Sequence, residues 1–267
     1  MTGSNYNGEL ISPINQFQTI LGDEASNKRP MRLIYGYKMD GFPVSELPDL
    51  SVLGANRISV CLLSTKNDGV PAVGFTLGLL ANLQVQRNIG RVKNGSLPLD
   101  QAYLTNGDTV EKHRDDFDLL HSRAYLFPRS YVGKSGYFFA DDPTCAPNSD
   151  DYSSIARGRV IDKADRIAYA TFVEEILDEV EVSTEGKLDP AQAKYYQSII
   201  QGAIESNMSA NEEISGVSVF VDQDQNVLMS DMVKINVRIQ PKGYAKYIKI
   251  SLGYTLSANS GDEGDIR

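Results

Sequence analysis

DDYSSIARGRVIDKADRIAYATFVEEILDEV, residues 150–180, is the stretch from which the rest of the chain is best read. Asp150 and Asp151 precede Ser153 and Ser154, so side chains that accept from orphan helical N–H groups stand at its start. From Ile155 the apolar positions fall at Val160, Ala164, Ile167, Ala168, Thr171, Phe172, Ile176, Leu177 and Val180. Spacing of three to four over about seven turns predicts one amphipathic helix, with no proline and no glycine after Gly158. Each large side chain buried along that stripe contributes about 1.5–3 kcal/mol before entropy is subtracted, so the helix is expected to be a core element.

Its charges are polarised the wrong way. Arg157, Arg159, Lys163 and Arg166 occupy the first half; Glu174, Glu175, Asp178, Glu179 and Glu181 occupy the second. The helix macrodipole favours the reverse order by about 0.3–1 kcal/mol per exposed end charge. Such a helix is frustrated alone and is relieved by complementary charge on another segment or another subunit, or else it is simply a solvated face.

Outward from the helix, residues 1–30 are polar with scattered apolar positions, which predicts a partly irregular segment. Arg32–Tyr37 and Arg57–Ser64 read as strands, the second nearly continuously apolar, as in a sheet covered on both faces. Pro71 opens a helix expected to run to about Leu83, and Gln84–Asp100 reads as a glycine-punctuated surface excursion. Tyr125–Phe127 and Gly136–Ala140 look like two more strands. Beyond the long helix, Pro190 opens a second helix to about Met208, with Ala193, Tyr196, Ile199, Ile200, Ala203 and Ile204 on one face. Three strands close the chain: Val217–Val221, Val227–Arg238 and Tyr244–Leu252. In KINVR (234–238) and KYIKI (246–250) apolar and basic residues alternate, as on a half-exposed antiparallel sheet. The acidic ending, residues 257–267, is disordered by composition. The expected division is therefore an α/β region over 31–152 and an α+β region over 153–256, bridged by the long helix.

Composition narrows the function. A net charge of −9 argues against a nucleic-acid backbone as main partner. There is no apolar run long enough to insert in a membrane and no basic-then-apolar leader. Cys61 and Cys145, far apart, make no disulfide framework, which fits a reduced, cytosolic setting.

The motifs that suggest chemistry are incomplete. Gly133-Lys134-Ser135 resembles the end of a phosphate loop, but Pro128 stands where that motif needs glycine, and a strand-like Gly-Tyr-Phe-Phe follows instead of a helix. A nucleotide- or metal-binding enzyme built on this triplet and on Asp141, Asp142, Asp150 and Asp151 is the alternative function from this reading; the aspartate spacing matches no Ca²⁺ loop. His113 and His121 lie eight apart, which is not the spacing of a helical zinc pair. The expectation is no enzyme, and neither catalytic residues nor a cofactor or metal ligand set is assigned.

Three segments carry a family resemblance: Gly78–Gly95, Arg129–Tyr169 and Glu213–Tyr254. Over residues 50–256 the chain resembles tail-sheath-like proteins of contractile phages and prophages, in particular the family DUF2586. That resemblance implies an α/β sheath-type core, a mixed sheet with flanking helices, completed by an α+β C-terminal domain. It implies a structural subunit that self-assembles into helical rings around an inner tube and drives contraction for envelope penetration. The implied partners are further copies of the chain, a tail tube protein, and baseplate or terminator proteins; the implied location is the virion tail, and the host cytoplasm during assembly. A non-polymerising terminator or baseplate component is the related alternative. Against that family the chain begins as though in mid-domain, which implies shortened arms. Candidate subunit-interface residues are Arg157, Arg159, Lys163, Arg166, Glu174, Glu175, Asp178, Lys234, Arg238 and Lys246.

Overall fold

The computed structural model describes residues 7–40, 43–246 and 248–254. In chain order its elements are α1 (Ser12–Ser26), β1 (Leu33–Gly36), β2 (Ile58–Cys61), β3 (Leu63–Ser64), α2 (Val73–Ala81), β4 (Tyr103–Leu104), α3 (Phe117–Ser122), β5 (Tyr125–Leu126), β6 (Pro128–Arg129), β7 (Phe138–Phe139), α4 (Ile155–Phe172), α5 (Pro190–Ile204), β8 (Ile214–Val221), α6 (Val227–Ser230) and β9 (Ile235–Pro241). This is an α/β fold followed by an α+β region.

The first half is organised by a parallel sheet of order β1-β2-β5, with Leu33 opposite Ile58 and Val60 opposite Tyr125. Every residue of β2 is buried, as its unbroken apolar character requires of a central parallel strand. Gly36 on β1 lies against Pro71 and Val73, so a Cβ there would meet the Pro71 ring at 2.6 Å; its lack of a side chain lets α2 close on the sheet. Short antiparallel pairs, β3 with β4 and β6 with β7, extend the layer.

The segment before β1 is not irregular where it is described. A π-turn over Asn7–Ile11 leads into α1, with Leu10, Ile14 and Leu21 buried in the main apolar cluster. Three buried apolar residues spread over twelve positions suffice because Pro13 pre-sets the first turn and the sheet supplies the surface.

α4 starts where expected. Ser154 accepts from the Arg157 N–H at 3.3 Å, while the Asp142 carbonyl accepts from Ile155 N and its carboxyl from Ala156 N, both at 2.8 Å. It ends earlier than expected, at Phe172, with turns in place of the last two helical turns, and Leu177 takes a left-handed φ of 70°. Glu174, Glu175, Asp178 and Glu179 stand where the macrodipole disfavours anions, so continuation is opposed just where the chain must turn back. Ile155 belongs to the N-terminal core and Val160 and Ala164 to a second cluster with Ile200, Ile204, Met208, Ile214 and Val219, so the helix spans both cores.

α5 begins at Pro190 behind Asp189, whose carboxyl accepts from Ala191 N at 2.8 Å. Among the described residues β8 pairs only with β9, antiparallel, with Val217 opposite Ile239, Val219 opposite Val237 and Val221 opposite Ile235. The stretch expected as one strand, Val227–Arg238, divides: the Asn226 side chain accepts from Met229 N at 2.9 Å and starts the single turn α6 before β9. Tyr244–Leu252 forms no strand among its described residues, although it alternates: no described strand pairs with it. The residues expected to be disordered, 257–267, lie outside those described.

One ion cluster ties the two halves. Asp162 on α4 is buried and receives Arg32 Nε at 2.7 Å and Arg57 Nη1 at 3.1 Å, from the start of β1 and of β2. Arg32 reaches it across Gly158, where an added Cβ would collide with the guanidinium. Alanine for glycine inside a helix ordinarily stabilises by about 1 kcal/mol. Here Gly158→Ala is expected to forfeit that gain and to destabilise by roughly 1–2 kcal/mol, because Arg32 must move off Asp162 and leaves it to Arg57 alone; equilibrium urea unfolding reads the sign.

Candidate assembly interface

The sequence motifs resolve into structure. Gly133, with φ 75°, sits in the turn between β6 and β7, where Lys134 N donates to the Tyr131 carbonyl at 3.1 Å and the next element is a strand. Lys134 and Ser135 are exposed. Among the described residues no group of three His, Cys, Asp or Glu is placed to hold a metal ion. Cys61 and Cys145 are both buried and free; burial pushes the Cys145 thiol up to about 12. His113 lies between Asp116, 2.9 Å from Nδ1, and Asp108, 3.4 Å from Nε2.

The aspartate pair has a structural task. Asp141 receives Lys246 Nζ at 2.6 Å, Asn88 Nδ2 at 2.7 Å and His121 Nε2 at 3.3 Å. Burial alone would raise its carboxyl, but His121, Lys246 and Asn88 outweigh that and hold it far below the usual carboxylate range. Asp142, wholly buried, is pushed up to about 8, by burial first and by the Asp141 charge second. The pair thus carries one negative charge near neutrality.

Of the candidate interface residues, the basic set on α4 is engaged within the chain. Arg159 donates to the Leu83 carbonyl at 2.9 Å, Arg166 to the Pro30 carbonyl at 3.0 Å, and Lys163 pairs with Glu213 at 2.6 Å; Arg157 is half-buried. The acidic set lies outside: Glu174 and Asp178 are exposed, and Glu175 accepts from the Tyr195 hydroxyl at 3.1 Å. Lys234 and Arg238 are exposed at and on β9, and Lys246 is tied to Asp141.

A feature that residue-by-residue reading does not reveal lies beside β9. There a cleft of about 920 Å³ opens between α4, α5 and the inner face of the strand. Its walls include Ala168 and Phe172 of α4, Tyr196 and Ile200 of α5, and Ile235, Val237 and Ile239 of β9. Its lip carries Ile176, 58% exposed, Leu177, fully exposed, and Leu228, 70% exposed, with Glu175, Asp178 and Asp231 among them. Because β8 and β9 form a sheet of two, β9 borders the cleft with an unpaired edge among the described residues. The alternation Ile235, Val237, Ile239 was the one sequence signal for it.

The segment after β9 is the cleft's chemical counterpart. The Tyr244 hydroxyl donates to the Gln86 carbonyl and Lys246 holds Asp141, which fixes the base of the segment to the N-terminal half. Beyond that point Ile248, Ile250, Leu252 and Tyr254 are 79%, 74%, 94% and 97% exposed. Spaced by two, they would share one face of a strand.

The chain belongs to the DUF2586 family: residues 43–143 match the family's N-terminal domain and residues 151–259 its C-terminal domain. No curated protein is detectably similar in sequence. Among solved structures the fold is similar to a chain of the anti-feeding prophage (AFP) baseplate, six-fold symmetrised, with TM-score 0.59 and 12% identity over 90% of this chain and 65% of that one. It is also similar to a chain of the PVC sheath complex, from an extracellular contractile injection system in the contracted state, with TM-score 0.51 and 13% identity over 75% of this chain and 57% of that one. The chain thus spans less than two thirds of either neighbour's length.

The raised Asp142 carboxyl has a measurable consequence. The folded state binds this proton more tightly than the unfolded chain, so the contribution is complete below the ordinary carboxylate range and is lost as pH rises through about 8. Between pH 7 and 8 the loss is about 1 kcal/mol. Urea midpoints of the protein should fall over that interval, and those of Asp142→Asn should not.

Proposed function

We propose that this chain is a structural subunit of a contractile, phage-type tail sheath, and that it polymerises by lending residues 246–254 as a strand to the free β9 edge of a neighbouring copy. The observation that carries this reading is the match between an apolar cleft with an open strand edge and an apolar, alternating segment with no sheet of its own. Strand addition supplies main-chain hydrogen bonds along β9, and side chains at alternate positions fill the cleft. In this division residues 31–152 form the scaffold and residues 153–256 the assembly domain, with Lys234 and Arg238 on the outer side of the augmented sheet.

Magnitudes explain why the arm stays free in the monomer and binds in a lattice. Four apolar side chains contribute about 1.5–3 kcal/mol each on burial, while ordering each residue costs roughly 1–2 kcal/mol. One arm is therefore near balance, and simultaneous engagement of many copies supplies the cooperativity. A donor site and an acceptor site on different faces make the contact heterologous, which generates rings or helices. The partners on this reading are other copies of the chain, an inner tube protein and baseplate or terminator proteins; it acts in the tail, after assembly in the host cytoplasm. The likeness to a baseplate chain supports a second reading, a component that forms a single ring and does not stack.

Negative-stain electron microscopy of the concentrated protein tests the proposal. Striated tubes or stacked rings are expected, isolated rings favour the second reading, and a protein that stays monomeric overturns both. Ile250→Lys, in an exposed position, should leave the melting temperature unchanged and abolish assembly. Normal assembly by that variant would exclude strand lending.

A further inference from the structure

A second cavity, of about 350 Å³, lies between α2 and α4 over the ends of β1 and β2. Its walls carry four guanidinium groups, Arg32, Arg57, Arg159 and Arg166, against a single carboxylate, Asp162. Asp162 is already shared by Arg32 and Arg57, at 2.7 and 3.1 Å. Arg159 and Arg166 are each held by one hydrogen bond to a main-chain carbonyl, Leu83 and Pro30 respectively, which positions them without neutralising them. Arg159 Nη1 is buried and has no hydrogen-bond acceptor among the described residues. Of the neighbouring carboxylates, Asp165 pairs with Lys28 at 2.9 Å and Glu213 with Lys163 at 2.6 Å, while Asp142 accepts from Ala156 N and Asn88 Nδ2.

Arginine keeps its proton throughout the working pH range. Four cations facing one anion therefore leave an excess of three positive charges in a partly closed cavity, within a chain whose net charge is −9. Arg159 is half-buried, where a cation is costly without counter-charge, whereas Arg166 is exposed. The rest of the wall is mostly aliphatic, with Leu33, Leu80, Val85 and Ile155 inside and Leu77, 46% exposed, at the surface, beside the hydroxyls of Ser59 and Thr144.

We propose that this cavity is a binding site for a carboxylate carried on a short apolar stem, with Arg159 and Arg166 as the groups that receive it. A guanidinium with a free N–H is suited to a planar carboxylate, which accepts two parallel hydrogen bonds, and the aliphatic wall takes the stem. The same chemistry is available from a free aliphatic acid or from an acidic side chain of a neighbouring subunit.

The probe is isocaproate, compared at constant ionic strength with isocaproamide and with inorganic sulfate. Isocaproate at tenfold excess over its Kd is expected to raise Tm by about 3–6 °C. The amide should have no effect, and Arg159→Met and Arg166→Gln should remove the response. Arg166 is exposed, so its variant is expected to fold even where Arg159→Met does not. An equal rise with the amide, a rise with sulfate as large as with isocaproate, or a response undiminished in Arg166→Gln would each overturn the proposal. With the site established by those arms, inhibition of assembly by isocaproate would assign the natural carboxylate to a neighbouring subunit. Unchanged assembly would assign it to a free acid.

Discussion

The carboxylate of Asp162 is the point on which the two halves of the molecule depend. It draws Arg32 from the entry of β1 and Arg57 from the entry of β2 onto the middle of α4, and Gly158 leaves the room that Arg32 needs. A buried charge pair of this kind contributes little net stability compared with apolar packing, but losing one member is costly. Its value is in register: the rotation and height of α4 against the sheet are set by where those guanidinium groups can reach. The start of the same helix is sewn to the loop after β7 by the Asp142 carbonyl and carboxyl. Everything beyond α4, including the cleft and β9, takes its position from this attachment.

The region beyond α4 leaves apolar surface uncovered among the described residues. Two strands, a wide apolar cleft and an apolar arm held only at its base leave much nonpolar surface in water. Exposed edges and apolar patches of this extent are liabilities in a monomer, and they are resources in a subunit that must join others. The polarised charge of α4 fits the same division of labour. Its basic half is absorbed by the chain's own carbonyls and by Glu213, while the acidic end, beyond the last helical turn, forms the outer lip of the cleft.

Several features were legible in the residues themselves. The amphipathic period of α4, the proline and aspartate that start α5, the continuous apolar run of β2 and the alternation of β8 and β9 each obey local rules, so their identity could be read without partners. The phosphate-loop look-alike failed at Pro128, and a turn is what the structure has there. Other readings went astray for physical reasons. α1 is too sparsely apolar to announce itself and is held by a sheet distant in sequence. The long helix stops short because acidic residues gather at its C-terminal end. The segment after β9 has the pattern of a strand and no described strand pairs with it.

By itself the sequence determined the local elements, the acidic balance that disfavours nucleic acid, and the absence of a complete catalytic motif, since each is written in neighbouring residues and short periods. Only the tertiary structure decided that Asp141 and Asp142 serve as a latch and a helix cap. It alone showed that Arg159 and Arg166 of α4 line one cavity with Arg32 and Arg57, and that, among the described residues, an apolar cleft lies beside a strand with an unpaired edge. Those arrangements join residues up to 158 positions apart, as in the bond between Tyr244 and Gln86. Proximity of that kind is set by packing of whole elements, and no local pattern of side chains encodes it.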